Sequence, residues 1–202
     1  MQKSLETEDL RVRRTRKMLQ DALIELTVEK GFAAVTVRDI TERAMVNRST
    51  FYRHYLDKYD LLEQYVTEVK ALAEQDDALD GERELTPGGA PAGLVNLLEH
   101  VRAHSEFYRV MLGQMGDPVF TERFRQSIAR RIHRWYSRFQ TEPDAPPFDL
   151  KLTYVSCAGV GAILWWLEDK NPCTAEQLAL WLSQLARSTM GVDAKAAGEV
   201  ET

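Results

Sequence analysis

Cysteine is scarce in this 202-residue chain, with two residues, and histidine nearly so, with four. Cys157 and Cys173 are too few for a disulfide framework and have no metal-ligand spacing. His54, His100, His104 and His133 form no metal motif. His100 and His104 lie four apart on one helix face, but would need a third ligand, for which Glu99 and Glu106 are weak candidates. There is no Gly-rich phosphate loop and no nucleophile motif, so catalysis has no visible machinery and no cofactor or metal is expected. Long apolar runs are missing too. The longest, Tyr154 to Leu167, has 14 residues, short of the roughly 20 that cross a bilayer, and reads as a buried helix. Met1-Gln2-Lys3-Ser4-Leu5-Glu6 is polar and lacks the apolar core of a signal peptide. These absences predict a soluble, cytoplasmic, non-enzymatic protein with no membrane partner.

With 44% hydrophobic and 28% charged residues, the composition is that of a globular chain with a sizeable core. The net charge is -5, but it is unevenly spread. Residues 1 to 60 hold 12 basic and 10 acidic side chains, whereas residues 61 to 202 hold 14 and 21. Arg11, Arg13, Arg14, Arg16 and Lys17 put five cations in seven positions. Either an anionic partner for the N-terminal end or a solvated basic helix start accounts for that asymmetry.

No alternating strand pattern and no internal repeat is present, and the periodicity is helical throughout. Met18, Leu19, Ala22, Leu23 and Leu26 stripe a helix from Arg14 to Lys30, stopped by Gly31. Thr36 with Asp39 predicts a capping box opening a short helix to about Ala44. Asn47 is a second N-cap, before Arg48 to Tyr55, and Asp57 with Asp60 a third, opening a long helix to about Ala73. Asp76 to Pro91 reads as a linker. Further helices are expected over Ala92–Ala103, Ser105–Leu112, Pro118–Gln140, Asp149–Glu168 and Thr174–Met190, with a frayed tail from residue 192.

Two short helices joined by Met45-Val46-Asn47 fit a helix-turn-helix, whose second helix would enter the major groove by its N-terminal end. Arg48, Ser49 and Thr50 sit there and can reach base edges. Tyr52, His54, Lys58 and Thr36 lie where phosphates would pass, contacts that position without reading sequence. His54 reads equally as a solvated surface histidine, Thr36 and Asn47 as caps first, and Phe51 and Tyr55 as core.

The same residues carry a family resemblance. Thr-x-Arg-Asp-Ile, Ser-Thr-Phe-Tyr-x-His-Tyr and Lys-x-x-Leu-Leu, between Gly31 and Leu62, resemble the DNA-binding domain of the TetR/AcrR family of bacterial transcriptional regulators. The likeness covers roughly residues 12 to 65. It implies an all-α chain: a three-helix DNA-binding domain over residues 1–57, an effector-binding and dimerisation domain over 58–191, and a flexible tail over 192–202. It also implies a homodimer on a double-stranded operator. The family's base-reading positions fall on Arg48, Ser49, Thr50 and Arg38, and its phosphate contacts on Thr36, Tyr52, His54 and Lys58. One departure stands in the turn, where the family commonly has glycine and this chain has Met45. A non-glycine residue is strained there if φ is positive, so a slightly altered turn is expected.

In the C-terminal part, Phe107, Tyr108, Met111, Trp135, Phe139 and Tyr154 are candidates to line a pocket for an apolar or aromatic effector, or else to be ordinary core. Arg123, Arg130, Arg131, Arg134 and Arg138 mark the exposed side of one long helix. Gly159, Gly161, Trp165, Trp181 and Leu185 are the candidate dimer interface, a four-helix arrangement of C2 symmetry that the resemblance also implies. Two functions compete. One is a ligand-released repressor, the other a co-regulator whose C-terminal part binds a protein. A closed cavity of about 300 Å³ or more would favour the first, and a solid core with an exposed apolar patch the second.

Overall fold

The computed structural model describes residues 2–74, 89–114, 116–137, 144–169 and 172–192. Among them nine α-helices appear and no strand. In the N-terminal part, α1 (Gln2–Lys30), α2 (Val37–Arg43) and α3 (Arg48–Tyr52) lead into α4 (Lys58–Glu74), with a 3-10 turn at Phe32–Ala34. Then come α5 (Ala92–Ala103), α6 (Ser105–Leu112), α7 (Pro118–Tyr136), α8 (Phe148–Glu168) and α9 (Ala175–Met190). The expected linker falls largely, and the tail almost wholly, outside the described residues.

Local chemistry sets most of these boundaries. The Thr36 hydroxyl accepts from the Asp39 N–H at 3.2 Å, while Asp39 accepts from the Thr36 N–H at 2.8 Å, the predicted capping box. Asp57 caps α4 by accepting from Tyr59 and Asp60 N–H groups. Asp60 reaches back to the Leu56 N–H at 2.8 Å. Asp117, followed by Pro118 at the first helical position, caps α7, and Thr174 caps α9. Asn47 holds the N-cap position of α3 without a side-chain bond, so its capping role is corrected to backbone geometry alone. Helix α1 starts at Gln2, twelve residues before the expected Arg14, and α3 stops at Tyr52 rather than Tyr55.

Most buried residues form one continuous core from Leu19 on α1 to Ala179 on α9, and Ile132, Tyr136, Ala186 and Met190 form a second, smaller cluster. The N-terminal helices therefore do not stand apart from the rest: α1 packs on α6, and α4 on both α1 and α5. Gln20 Nε2 on α1 donates to Glu68 on α4 at 2.7 Å. Phe51 and Tyr55 are buried, as expected, and anchor α3. Burial pushes the Tyr55 hydroxyl up to about 12.

Helix α8 corrects the reading of a buried helix. It has 21 residues, and by length and composition it is the one helix among the described residues apolar enough to cross a membrane. Its Val160, Ile163, Trp166 and Leu167 face inward, but Leu150, Tyr154, Cys157, Ala158, Gly161 and Trp165 form an exposed stripe at helical spacing. On α9, Trp181 and Leu185 are exposed as well.

Candidate nucleic-acid interface and effector cleft

Helix α2 is held on α1 by ion pairs. Arg43 makes a two-pronged contact to Glu29 at 2.7 and 2.8 Å and a third to Glu25 at 2.9 Å. Lys30 meets Asp39 at 2.7 Å. Lys30 and Thr36 together hold the Asp39 carboxyl well below the usual carboxylate range. The turn after α2 is a Schellman motif: Val46 N–H donates to Thr41 C=O (3.0 Å) and Met45 N–H to Glu42 C=O (3.2 Å). Met45 takes φ 53°, the left-handed conformation a glycine would supply, and is 86% exposed. The expected alteration of the turn is thus corrected: the left-handed geometry is kept, with methionine in it. The same motif ends α9, there with Gly191 at φ 80°.

Along α3, Arg48 and Ser49 are exposed and Thr50 is half-buried at the helix start. Arg48 lies over the Tyr52 ring, 5.6 Å from its centroid, and donates to the Tyr52 hydroxyl at 3.2 Å. Arg38 on α2 is exposed and paired with Glu42 at 2.7 Å. These cations rest on neighbours that a nucleic acid would have to replace. Tyr52 is exposed, one step off the buried face of Phe51. His54 is half-buried, and burial together with Arg16 and Arg53 pulls its pKa below the ordinary histidine value. Thr36 is exposed, but its hydroxyl proton is given to Asp39 at 2.6 Å.

Lys58 is where the geometry departs from the phosphate role expected of it. Its ammonium donates to the carbonyls of Phe32 (2.8 Å), Ala33 (3.1 Å) and Val35 (2.8 Å). An ammonium has three N–H donors, and all three are used. Partial burial accordingly lowers the Lys58 pKa. The residue staples the start of α4 to the turn before α2. The motif reading had also passed over Arg53, the unspecified position between Tyr52 and His54. It is exposed at the end of α3 and donates to Thr50 Oγ1 at 3.0 Å.

A cleft of about 220 Å³ opens among α4, α5, α7, α8 and α9. Val66 and Val69 of α4, Leu94 and Leu97 of α5, and Phe124 and Ile128 of α7 are part of its apolar wall, which Val155 and Ile163 of α8 and Leu182 of α9 continue. Of the aromatic candidates, Tyr108, Trp135 and Tyr154 line it. Phe107 and Met111 are corrected to core: both are fully buried, Phe107 edge-on to Tyr108, and neither lines the cleft. Phe139 lies outside the described residues. Arg130, Arg131 and Arg134 line the cleft, while Arg123 pairs with Glu63 of α4 at 3.0 Å and Arg138 is outside the described residues. The cleft is smaller than the cavity expected for a ligand-released repressor, and it is open at one side, where Tyr154 and Leu185 are 64% and 65% exposed.

Tyr108 connects that wall to α4. It interacts electrostatically with Tyr65, whose hydroxyl lies 2.9 Å from His100 Nε2. Burial, and His104 beside it, push the His100 pKa down to about 4. The two histidine rings are 4.6 Å apart, but Glu99 is paired with Arg102 and Glu106 with Arg109. No group of three metal donors occurs among the described residues.

The two candidate interface glycines separate. A Cβ on Gly159 would meet Ile128 of α7 at 3.6 Å, so Gly159 serves packing inside the chain, and its interface role is corrected. Gly161 faces open space, on the same stripe as Trp165.

Residues 19–65 match the family described as "Bacterial regulatory proteins, tetR family", and residues 90–188 match "Transcriptional regulator C-terminal region". The chain is 30% identical over 176 residues to the HTH-type transcriptional regulator YxbF of Bacillus subtilis (strain 168), covering 85% of this chain and 44% of that protein. It therefore spans less than half the length of that relative. It is 25% identical over 174 residues to the HTH-type transcriptional repressor KstR of Rhodococcus jostii (strain RHA1), covering 79% and 76% of the two chains. A TetR transcriptional regulator from Streptococcus agalactiae 2603V has a similar solved structure, with TM-score 0.65 and 24% identity over 90% of this chain and 98% of that one.

Proposed function

The chain belongs to the TetR family of bacterial transcriptional regulators, and from that premise we propose that it is a cytoplasmic, effector-released repressor acting as a homodimer on a palindromic operator. The observation that carries this reading is the double duty of α4. At its first residue, Lys58 is bonded to the turn that opens the helix-turn-helix. Two and three turns later, Val66 and Val69 of the same helix form the wall of the cleft. A ligand that filled the cleft would act on α4, and α4 cannot tilt without moving the turn before α2. Two recognition helices about 34 Å apart read successive major grooves. A ligand with higher affinity for another inter-helix spacing shifts the population away from DNA.

The exposed stripe of α8 with Trp181 and Leu185 of α9 supports a dimer built on those two helices. Arg48, Ser49, Thr50 and Arg38 are the base-reading residues in this reading. Tyr52, His54 and Arg53 meet phosphate, and Thr36 presents the start of α2. Selection of bound sequences from a random DNA pool, at fixed salt, tests it. One enriched palindrome is expected, and failure of a folded, dimeric protein to enrich any motif would refute operator reading.

A co-regulator that binds a partner protein is the second reading. The open mouth of the cleft, below 300 Å³ and edged by exposed Tyr154 and Leu185, favours it. If the protein is dimeric through α8 and α9, that apolar surface is already covered, and the reading loses its docking site.

A further inference from the structure

Resting on the reading of the cleft as an effector site, we propose that its ligand is a small uncharged molecule: an apolar body that carries an acceptor oxygen, such as a ketone or ester carbonyl. Two side chains inside the cleft ask for that oxygen. Ser183 of α9 lines it, is 1% exposed, and its hydroxyl has no hydrogen-bond partner among the described residues. Trp135 of α7 lines it too, and its indole nitrogen is buried and unpartnered. Buried polar atoms are nearly always satisfied, so two orphans in one apolar cleft mark a place where a ligand completes them. Ser127, which also lines the wall, is the contrast: its hydroxyl donates to the Phe124 carbonyl at 2.6 Å and is already satisfied.

The chemistry of the two orphans decides the head group. An indole N–H can only donate, whereas a serine hydroxyl donates or accepts. An acceptor oxygen therefore suits both, and an ammonium, which only donates, leaves Trp135 unsatisfied. A cation would also find no carboxylate, because no described Asp or Glu lines the cleft. An anion would bring its charge to donors that are neutral. The lining cations are no ready counter-ions: Arg131 and Arg134 each already have a partner, and Arg130 is exposed. A charge set against an apolar wall without a partner is costly, which favours the neutral acceptor. A purely apolar molecule would displace water from both donors without replacing its bonds, and so lose affinity. The cleft of about 220 Å³ is smaller than drug-sized sites, which begin at about 300 Å³, so the body is one ring or a short chain.

Titration of the full chain with acetophenone, ethylbenzene, benzoate and benzylamine, followed by proton–nitrogen NMR, tests this. The four share a benzene ring and differ in the polar group. The Trp135 indole N–H signal, identified by its loss in Trp135→Phe, reports on the cleft. Acetophenone is expected to bind about three- to tenfold more tightly than ethylbenzene, the worth of a hydrogen bond, and more tightly than benzoate or benzylamine. It is also expected to move the Trp135 N–H signal downfield. Ser183→Ala removes an unsatisfied hydroxyl and little else. Joined with Trp135→Phe, it is expected to bring acetophenone to the affinity of ethylbenzene, a ratio in which repacking common to both probes cancels. Three outcomes overturn the neutral acceptor while the cleft remains an effector site: equal binding of acetophenone and ethylbenzene, a ratio unchanged in the double variant, or tighter binding of benzoate or benzylamine. Binding of none of the four overturns the effector reading of the cleft and this inference with it.

Discussion

Lys58 Nζ lies 2.8 Å from the carbonyl oxygen of Phe32 and 4.7 Å from the centroid of the same residue's ring. One cation thus satisfies the end of a 3-10 turn and sits on its aromatic face. Removing it takes a charged donor from three carbonyls, of which that of Phe32 keeps the Val35 N–H. Lys58→Ala is expected to destabilise the fold by about 1–3 kcal/mol, the worth of hydrogen bonds to a charged group. Urea unfolding measures this. The slope of log affinity for DNA against log salt should stay at the wild-type value, and a slope reduced by about one would restore the phosphate role.

Arg48 and Arg53 stand on either side of Tyr52 but face different tasks in the proposed complex. Arg48→Ala is expected to relax base preference at one position, by about 1–3 kcal/mol against the preferred base. Arg53→Ala should weaken all sequences alike and reduce the salt slope by about one. Competition binding with single-base operator variants distinguishes them, and matching effects of the two substitutions would contradict the assignment.

Met45 and Gly191 occupy the same place in two Schellman motifs, at φ 53° and 80°. Only the methionine carries the left-handed penalty. Its side chain is 86% exposed, so little packing is lost on removal. Met45→Gly is expected to raise stability by about 0.5–1 kcal/mol, the relief of strain less the entropy of glycine in the unfolded chain. Thermal unfolding checks the sign, and a drop in Tm would show that Met45 is held by something other than backbone geometry.

Gly161 has open space where a side chain would project, so Gly161→Leu leaves the isolated fold intact. In a dimer through the α8 stripe, it would push the helices apart. Light scattering is expected to give monomers for Gly161→Leu and for Trp181→Arg, with unchanged circular dichroism. A dimer that survives both substitutions must use another face.

His100 binds protons less readily when folded than when unfolded, since burial lowers its pKa to about 4 from 6.5. Between those values the unfolded chain takes up more protons, so stability rises with pH. The contribution is complete above pH 6.5 and is lost as pH falls through about 4. His100→Gln is expected to flatten the dependence of the urea midpoint on pH over that window. An unchanged slope would place the titrating group elsewhere. Part of the ring's surroundings is solvent, which reduces the size of the effect.

Much of the N-terminal part was legible because its signals are local. Thr36 and Asp39 are three residues apart and satisfy one another, so the start of α2 follows from four letters of sequence. The same holds for Asp57, which caps α4 from two and three residues away. The start of α1 was less legible, because its apolar stripe begins only near Met18 while backbone bonding runs on to Gln2. The staple made by Lys58 was not legible for a different reason. Its partners lie 23 to 26 residues upstream, and only the folding of α4 against the turn brings them together.

In the C-terminal part, helix type and face were readable, but neighbours were not. Tyr108 reaches the cleft while Phe107 and Met111 do not, although all three belong to one short helix. Gly159 and Gly161 are two residues apart, and α7 packs on one and leaves the other open. The sequence by itself determined the family, the helical class and the caps at Thr36 and Asp57, because hydrogen bonds between residues two to four apart depend on local identity. Only the tertiary structure decided which lysine is a staple, which aromatics face a cleft and which glycine lies on a free surface. Those outcomes depend on how helices are placed against one another, which side-chain packing across the whole chain sets.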